Sequence, residues 1–458
     1  MNSMVEQDLR SALARLERAG QLLRVTAPMS REYELAAVLW RQAHREAVVF
    51  ENVDGYDSPV VGNLLDQRDK LAISLGIEPQ QLQEHVASAL DHPVDPVIVD
   101  EAPWQQVQLP GDVDLCELLP IPRISEGDSG HYISAGVLVT RHPETGRRNL
   151  AICRLEVKGP GRLGVYMAPT HSRAVLEAHR LRGESMEVAI AIGLHPAVLV
   201  ASQFLTPLDE SRIAGSLFGG PMELTPARTV DLEVPTHAEI VLEGRIDPNE
   251  VEEEGPFGEF PGTYAPRRPS PVVRLTAVSM RERPMFQMIV GGRHPEHLVT
   301  GAIAREAGLF EAIRSVVPTV RHVRLTEGGT CRFHAVVSIS KRFEGEARLS
   351  ILTAFAKQDL IKYVVVVDDD IDVDDPVAVE WAIATRMRAD QDLVVVPGMK
   401  SNPVDPMSVD RVITKLGIDA TLPMTVAPEA RQSVGVPQEV MASIEARWHS
   451  IAGKAIDV

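Results

Sequence analysis

Cysteine is scarce in this 458-residue chain: Cys116, Cys153 and Cys331 are odd in number, far apart and free of CxxC spacing. That excludes a disulfide framework and a thiolate zinc site. Aromatic residues make up only 4%, too few for the stacked sugar platforms of a glycoside hydrolase or a wholly aromatic cage around a large ring. Positive charge is in deficit, with 46 Lys and Arg against 64 Asp and Glu and a net charge of −18. A field of that sign repels nucleic acid and anionic membranes. It also opposes an anionic substrate unless cations reverse the sign inside a pocket. No apolar run approaches the ~20 residues of a membrane span. The N-terminus lacks the apolar stretch of a signal peptide, so the expected location is the cytoplasm.

What is present is an ordinary globular composition, 44% hydrophobic and 24% charged, in a chain long enough for about two or three domains. Leu9, Leu13, Leu16, Leu22 and Leu23 lie near helical spacing within residues 1–25, which predicts an amphipathic first helix. Helices are expected near 32–44 and 79–90 and a strand at 47–50, so residues 1–100 read as an N-terminal α/β region. After a proline-rich connection, apolar or β-branched runs at 132–140, 151–157, 188–192, 197–201, 230–234, 238–246, 272–281 and 284–289 predict many short strands. That density suggests a barrel-like sheet. One helix interrupts them at 172–182, and another follows at 295–309. These elements define a second domain at 101–310. Residues 311–458 return to α/β alternation, with a buried strand in 363–370, a helix at 376–386, and a loop-rich tail ending in a short helix at 437–451.

The segment Glu254-Gly255-Pro256-Phe257-Gly258-Glu259 concentrates the chemistry. Gly and Pro constrain the backbone and break regular structure. The loop can therefore hold two carboxylates in a fixed relation, as acid/base chemistry near neutral pH requires. By itself, an acidic run reads first as an exposed, solvated turn. The strand 149–154 ends in Arg154, and an Arg in a buried strand needs an anion. Alternation along it places Asn149, Ala151 and Cys153 on one face and Leu150, Ile152 and Arg154 on the other. His171 lies just before a helix, and Asp209-Glu210 opens another; capping and dipole effects explain both adequately. An Asn oxygen, a His nitrogen and a Glu carboxylate would also suit Mn²⁺ or Mg²⁺ completed by phosphate oxygens, better than structural zinc.

Taken together, Asn149-Leu150-Ala151-Ile152-Cys153-Arg154, His171, Glu210, residues 229–235 and the 254–259 loop resemble, in order and spacing, the UbiD family of reversible, non-oxidative decarboxylases that use prenylated FMN. The likeness covers nearly the whole chain. It implies a central split-barrel flavin-binding domain and a C-terminal α/β oligomerisation domain. It implies that Asn149, His171 and Glu210 bind Mn²⁺, with K⁺ sharing the glutamate, and that Arg154, Glu254 and Glu259 form the catalytic network. It further implies cofactor contacts from Ala151, Ile152, Arg154, His171 and Lys357. Thr170 stands where some members carry Gln before the metal-binding His. A separate flavin prenyltransferase would supply the cofactor, and a homodimer or homohexamer is expected.

His297 and Arg305 are eight residues apart, about 80° around a helix, and could face one pocket as a cationic pair for a second substrate carboxylate. A similar pair is associated with furan-2,5-dicarboxylate decarboxylases of this family. The favoured substrate is therefore furan-2,5-dicarboxylate, with pyrrole-2-carboxylate, phenazine-1-carboxylate or a hydroxybenzoate as alternatives. A non-catalytic flavin-binding protein is the remote one, since it would not need the complete Arg154, Glu254 and Glu259 set.

Overall fold

The computed structural model describes residues 4–426 and 434–452. Its chain begins with α1 (Leu9–Arg18), β1 (Leu22–Val25), α2 (Glu34–Arg41), β2 (Ala47–Phe50), β3 (Val60–Gly62), α3 (Arg68–Leu75) and α4 (Leu82–Asp91). Next come β4 (Val97–Ile98), β5 (Val107–Pro110), α5 (Leu115–Leu118), β6 (Tyr132–Arg141), β7 (Arg148–Val157) and β8 (Arg162–Val165). They lead to α6 (His171–Arg182), β9 (Met186–Ile192), α7 (Pro196–Ala201), α8 (Glu210–Phe218), β10 (Glu223–Pro226) and β11 (Glu233–Pro235). The long β12 (Ile240–Glu254) precedes β13 (Phe257–Gly258), β14 (Tyr264–Ala265), β15 (Arg268–Met280), β16 (Phe286–Gln287) and α9 (Pro295–Arg314). The last third holds β17 (Val320–Leu325), β18 (His334–Ile339), α10 (Glu346–Lys357), β19 (Tyr363–Asp368) and α11 (Pro376–Arg386). It closes with β20 (Leu393–Lys400), β21 (Val412–Ala420), α12 (Gln438–Glu445) and α13 (Trp448–Ala452).

The central sheet runs β12-β9-β6-β7-β8-β15 and closes on itself through β12–β15 pairing, with β5 added outside β15. The expected mixed architecture with a barrel is thus a closed six-stranded barrel, whose closure removes free strand edges. The N-terminal sheet, β1-β2-β3-β16, takes its last strand from beyond the barrel. Phe286 lies beside Val60 in that sheet. The third sheet has the order β17-β18-β19-β21-β20, with β18, β19 and β21 parallel. Val364 to Val367 are all 0% exposed. Val364 and Val366 join the core that contains α10, while Val365 and Val367 join the one that contains α11. That two-sided burial is why this strand reads as an unbroken apolar run.

Some local expectations change. Leu22 and Leu23 lie in β1, because α1 ends at Arg18 and Gly20 turns the chain with φ of 69°. Residues 197–201, expected as a strand, are helix α7, with Pro196 at its first position and His195 capping the Ala197 N–H. Six consecutive buried apolar residues carry no periodicity that separates a strand from a buried helix. Of residues 230–234, only Glu233 and Val234 fall in a strand. The expected C-terminal domain runs to residue 458, of which 427–433 and 453–458 lie outside the described residues.

Candidate active site

Strand β7 and the turn after β12 bring three distant side chains into one network. Arg154 is 8% exposed, and Glu254, the last residue of β12, is 0% exposed. The Arg154 Nε donates to Glu254 Oε1 at 2.9 Å and its Nη2 to Glu254 Oε2 at 3.0 Å, a bidentate pair. Its Nη1 donates to Glu259 Oε1. The guanidinium stacks on Tyr166 at 4.4 Å and lies 5.2 Å from the Phe257 ring centre. Burial works against the Arg154 charge, but the hydrogen bond and charge of Glu254 outweigh it and hold the pKa above the usual value. Gly255, at φ of 90°, lets the chain leave β12 sharply enough to return Glu259 to the same arginine.

A second group assembles at the start of β7. Asn149 donates through Nδ2 to Ser172 Oγ at 3.0 Å. Glu210, first residue of α8, accepts the Leu150 N–H at 2.9 Å, and its other oxygen lies 3.8 Å from His171 Nδ1. The structure therefore brings Asn149, His171 and Glu210 together. Glu210 is 2% exposed, and burial raises its pKa. Its charge is balanced by no Lys or Arg within ion-pair distance among the described residues. A buried carboxylate so placed fits a bound cation. No three His, Cys, Asp or Glu side chains cluster among the described residues, so a metal would also draw on the Asn149 amide oxygen and on ligands from outside the protein.

The Arg154 group opens onto a cleft, and the second group adjoins it through Thr170 and Ser172. It is lined by Ala151, Ile152, Cys153 and Arg154 of β7, by Thr170 and Ser172 on either side of His171, and by Phe257 and Glu259. Four consecutive β7 residues contribute to its wall although their side chains alternate, Leu150 and Ile152 packing toward one apolar core and Ala151 and Cys153 toward the other. The β6–β7 register shifts between Ile133 and Gly136, a bulge in β6 opposite Arg154. Burial pushes the Cys153 thiol up to about 12, so it remains a neutral wall group and not a nucleophile.

The remaining wall comes from α9 and the turn before β18. His297, Thr300, Gly301 and Arg332 line the cleft. Arg305 does not; it lies one turn along α9 and donates to Gly301 O at 2.6 Å. A Cβ on Gly301 would fall 2.0 Å from Arg332 Nη2 and 2.9 Å from Arg305 Nη1, so both guanidinium groups crowd onto that glycine. Arg332 is 5% exposed and donates to Leu298 O at 3.1 Å and Cys331 O at 2.8 Å. Among the described residues, neither arginine has a carboxylate within ion-pair distance. Burial, and then the charge of Arg332, push His297 down to about 4. Its Nδ1 donates to Gly292 O at 3.0 Å, as a neutral ring does. The cationic pair is thus Arg305 with Arg332, and His297 is a neutral neighbour. Arg332 escaped the sequence reading because Thr330-Cys331-Arg332-Phe333 carries no motif; only its burial without an anion marks it. Lys357 is exposed at the end of α10 and is not brought to the cleft.

Residues 13–90, 97–294 and 298–420 match the N-terminal, Rift-related and C-terminal domains of 3-octaprenyl-4-hydroxybenzoate carboxy-lyase, UbiD. The chain is 39% identical to the anhydromevalonate phosphate decarboxylase of Methanothermobacter thermautotrophicus, over 90% of this chain and 97% of that protein. It superposes on the UbiD-class enzyme HmfF from Pelotomaculum thermopropionicum in complex with FMN with a TM-score of 0.91 and 43% identity, over 95% and 98% of the two chains. An evolved dimeric form of HmfF in complex with prenylated FMN gives 0.88 and 41%, over 95% and 98%.

Proposed function

Because the chain belongs to the UbiD family of carboxy-lyases and is a decarboxylase, we propose that it reversibly decarboxylates a small heteroaromatic or unsaturated acid bearing a second anionic group. Furan-2,5-dicarboxylate is the favoured substrate. The observation that carries this reading is the Arg305–Arg332 pair beside the cleft. A buried Arg332 beside a half-buried Arg305, with no carboxylate within ion-pair distance of either among the described residues, is costly unless an anion from outside completes them. In a chain of net charge −18, they supply the local reversal of sign that a dianionic substrate needs.

Arg154 orients the departing carboxylate by charge-assisted hydrogen bonds, its own charge balanced by Glu254. Glu259, reaching the cleft on the other nitrogen of the same arginine, takes up a proton from solvent once CO₂ has left and delivers it to the carbon that lost the carboxylate. Phe257, Ile152 and the Tyr166 ring shield this transfer from water. Prenylated FMN, when bound, supplies the electron sink that decarboxylation at an sp² carbon requires. Ala151, Ile152 and Arg154 would lie against it. Asn149, His171 and Glu210 would hold Mn²⁺ at its phosphate, with K⁺ sharing Glu210. We further propose cofactor supply by a flavin prenyltransferase, a cytoplasmic location, and domains at 1–100, 101–310 and 311–458. A homodimer or homohexamer built through the last of these would cover exposed Phe343, Val377, Trp381 and Val395.

A second reading keeps the site but makes the second anion a phosphate ester. The likeness to an anhydromevalonate phosphate decarboxylase favours it, and the arginine pair would serve equally. The test is CO₂ release by protein co-expressed with a flavin prenyltransferase. The panel would hold furan-2,5-dicarboxylate, furan-2-carboxylate, pyrrole, phenazine and benzoic acids, and phosphorylated acrylic acids. A kcat/KM for the diacid about 100-fold above that for the monoacid is expected. Equal efficiency on mono- and diacids would overturn the two-anion reading.

A further inference from the structure

The carboxylate-bearing turn is held from outside itself. Segment 125–132, between α5 and the start of β6, touches it at five places. Asp128 Oδ1 accepts the Gly258 N–H at 3.1 Å. The Ser129 N–H donates to Pro256 O at 3.0 Å, and the Gly127 N–H donates to Tyr264 Oη at 3.0 Å. The Tyr132 hydroxyl reaches Glu254 Oε1 at 3.4 Å, and its ring packs on Phe257 with centroids 4.5 Å apart. These contacts bracket Glu259 on both sides. The Glu259 carboxylate is 19% exposed and reaches Arg154, so its place depends on the backbone at Gly258.

We infer that segment 125–132 is the positioning element of the catalytic turn, with Asp128 setting Glu259 through the Gly258 N–H and Tyr132 setting Glu254. The inference rests on reading Glu254 and Glu259 as the carboxylates of the reaction. Asp128 is suited to this because both its oxygens are engaged, Oδ2 accepting the Ser125 N–H at 2.9 Å. It is 2% exposed, and Arg123 donates to its carbonyl at 3.0 Å. Burial raises its carboxyl to about 6, so at neutral pH it is still largely the doubly accepting anion. An amide has one accepting oxygen and cannot satisfy both N–H groups. Gly127 must be small, because a Cβ there would lie 2.5 Å from the Tyr264 ring.

The test compares Asp128→Asn with the unsubstituted holoenzyme. A displaced proton donor is expected to lower kcat by about 10- to 100-fold, with KM changed less than about twofold and the absorbance of the bound cofactor retained. Amide hydrogen exchange of the protein without cofactor is the independent readout. Peptides covering 255–263 should exchange about tenfold faster, while β6 and β7 peptides stay unchanged. Unaltered kcat and unaltered exchange would overturn the inference. So would faster exchange throughout the barrel, or a rise in KM at constant kcat. Should Asp128→Asn fail to fold, Tyr264→Phe removes only the hydroxyl that accepts the Gly127 N–H at a half-exposed site. It should speed exchange of the same peptides with a few-fold loss of kcat, and no change in either would overturn the idea. A wild-type enzyme inactive on every acid would refute the functional reading while leaving the exchange result to stand.

Discussion

Replacing Arg332 by Met should stabilise the protein and cripple its selectivity at once. The guanidinium is 5% exposed, crowds onto Gly301 together with Arg305 and, among the described residues, has no carboxylate in ion-pair contact. Its burial costs several kcal/mol, which two hydrogen bonds to Leu298 O and Cys331 O recover only in part. Met retains much of the volume and removes the charge, for a net gain of about 1–2 kcal/mol in the ligand-free protein. In a chain of 458 residues that is a rise in Tm of roughly 1–2 °C. The same change removes a charge-assisted contact to the second anion, about 2–3 kcal/mol, or roughly 30- to 150-fold in KM for the diacid. Furan-2-carboxylate, which lacks that group, should be turned over with kcat/KM within about twofold of the unsubstituted enzyme. Differential scanning fluorimetry without ligand and steady-state CO₂ release on the two acids measure both effects. A fall in Tm, with equal loss on mono- and diacid, would show Arg332 to be a packing residue and would remove the support for a two-anion substrate. Gain of stability on losing function is the sign of a site built at the expense of the fold.

Glu259→Gln should abolish CO₂ release while the bound-cofactor absorbance persists; near-normal turnover would sink its role as proton donor. Glu210→Gln removes the one buried carboxylate of the Asn149 group and should lower bound Mn²⁺ at least tenfold by elemental analysis, an unchanged content placing the metal elsewhere. His297 is pushed down to about 4, so it is neutral from pH 6 to 8 and the arginines alone carry charge. KM for the diacid should then be flat across that range, and a tenfold rise per pH unit would mean a protonated His297 in the site. His195 is wholly buried and held at about 4, against 6.5 unperturbed. Its unfolded form therefore binds a proton first as pH falls, and stability is lost between pH 6.5 and 4, by up to about 3 kcal/mol at the lower end. His195→Gln should flatten that part of the acid-unfolding curve measured by urea denaturation, and an unchanged slope would show that His195 titrates normally.

Taken singly, Asn149, Arg154, His171, Glu210, Glu254 and Glu259 each had an ordinary structural explanation; their joint order and spacing, through the resemblance to the UbiD family, identified the catalytic class. The Gly-Pro-Phe-Gly turn constrains backbone shape, Arg154 stands out within an apolar strand, and His171 and Glu210 each open a helix. The buried strand β19 and helix α11 were legible for the same reason: periodicity, caps and prolines are local signals. Helix α7 was not, since uniform burial erases the periodicity that tells helix from strand. Nor could the sequence show which cations lack anions. Arg305 had a plausible neighbour in His297, yet its real companion, Arg332, comes from beyond β17 and meets it only at Gly301. Asp128 and Tyr132 likewise gain meaning only through contacts to the turn at 254–264. Local sequence determines backbone propensity and the residue types available for chemistry. Burial, pairing and desolvation are properties of the packed chain, and they decide which arginine is left unpaired at the cleft and which histidine stays neutral.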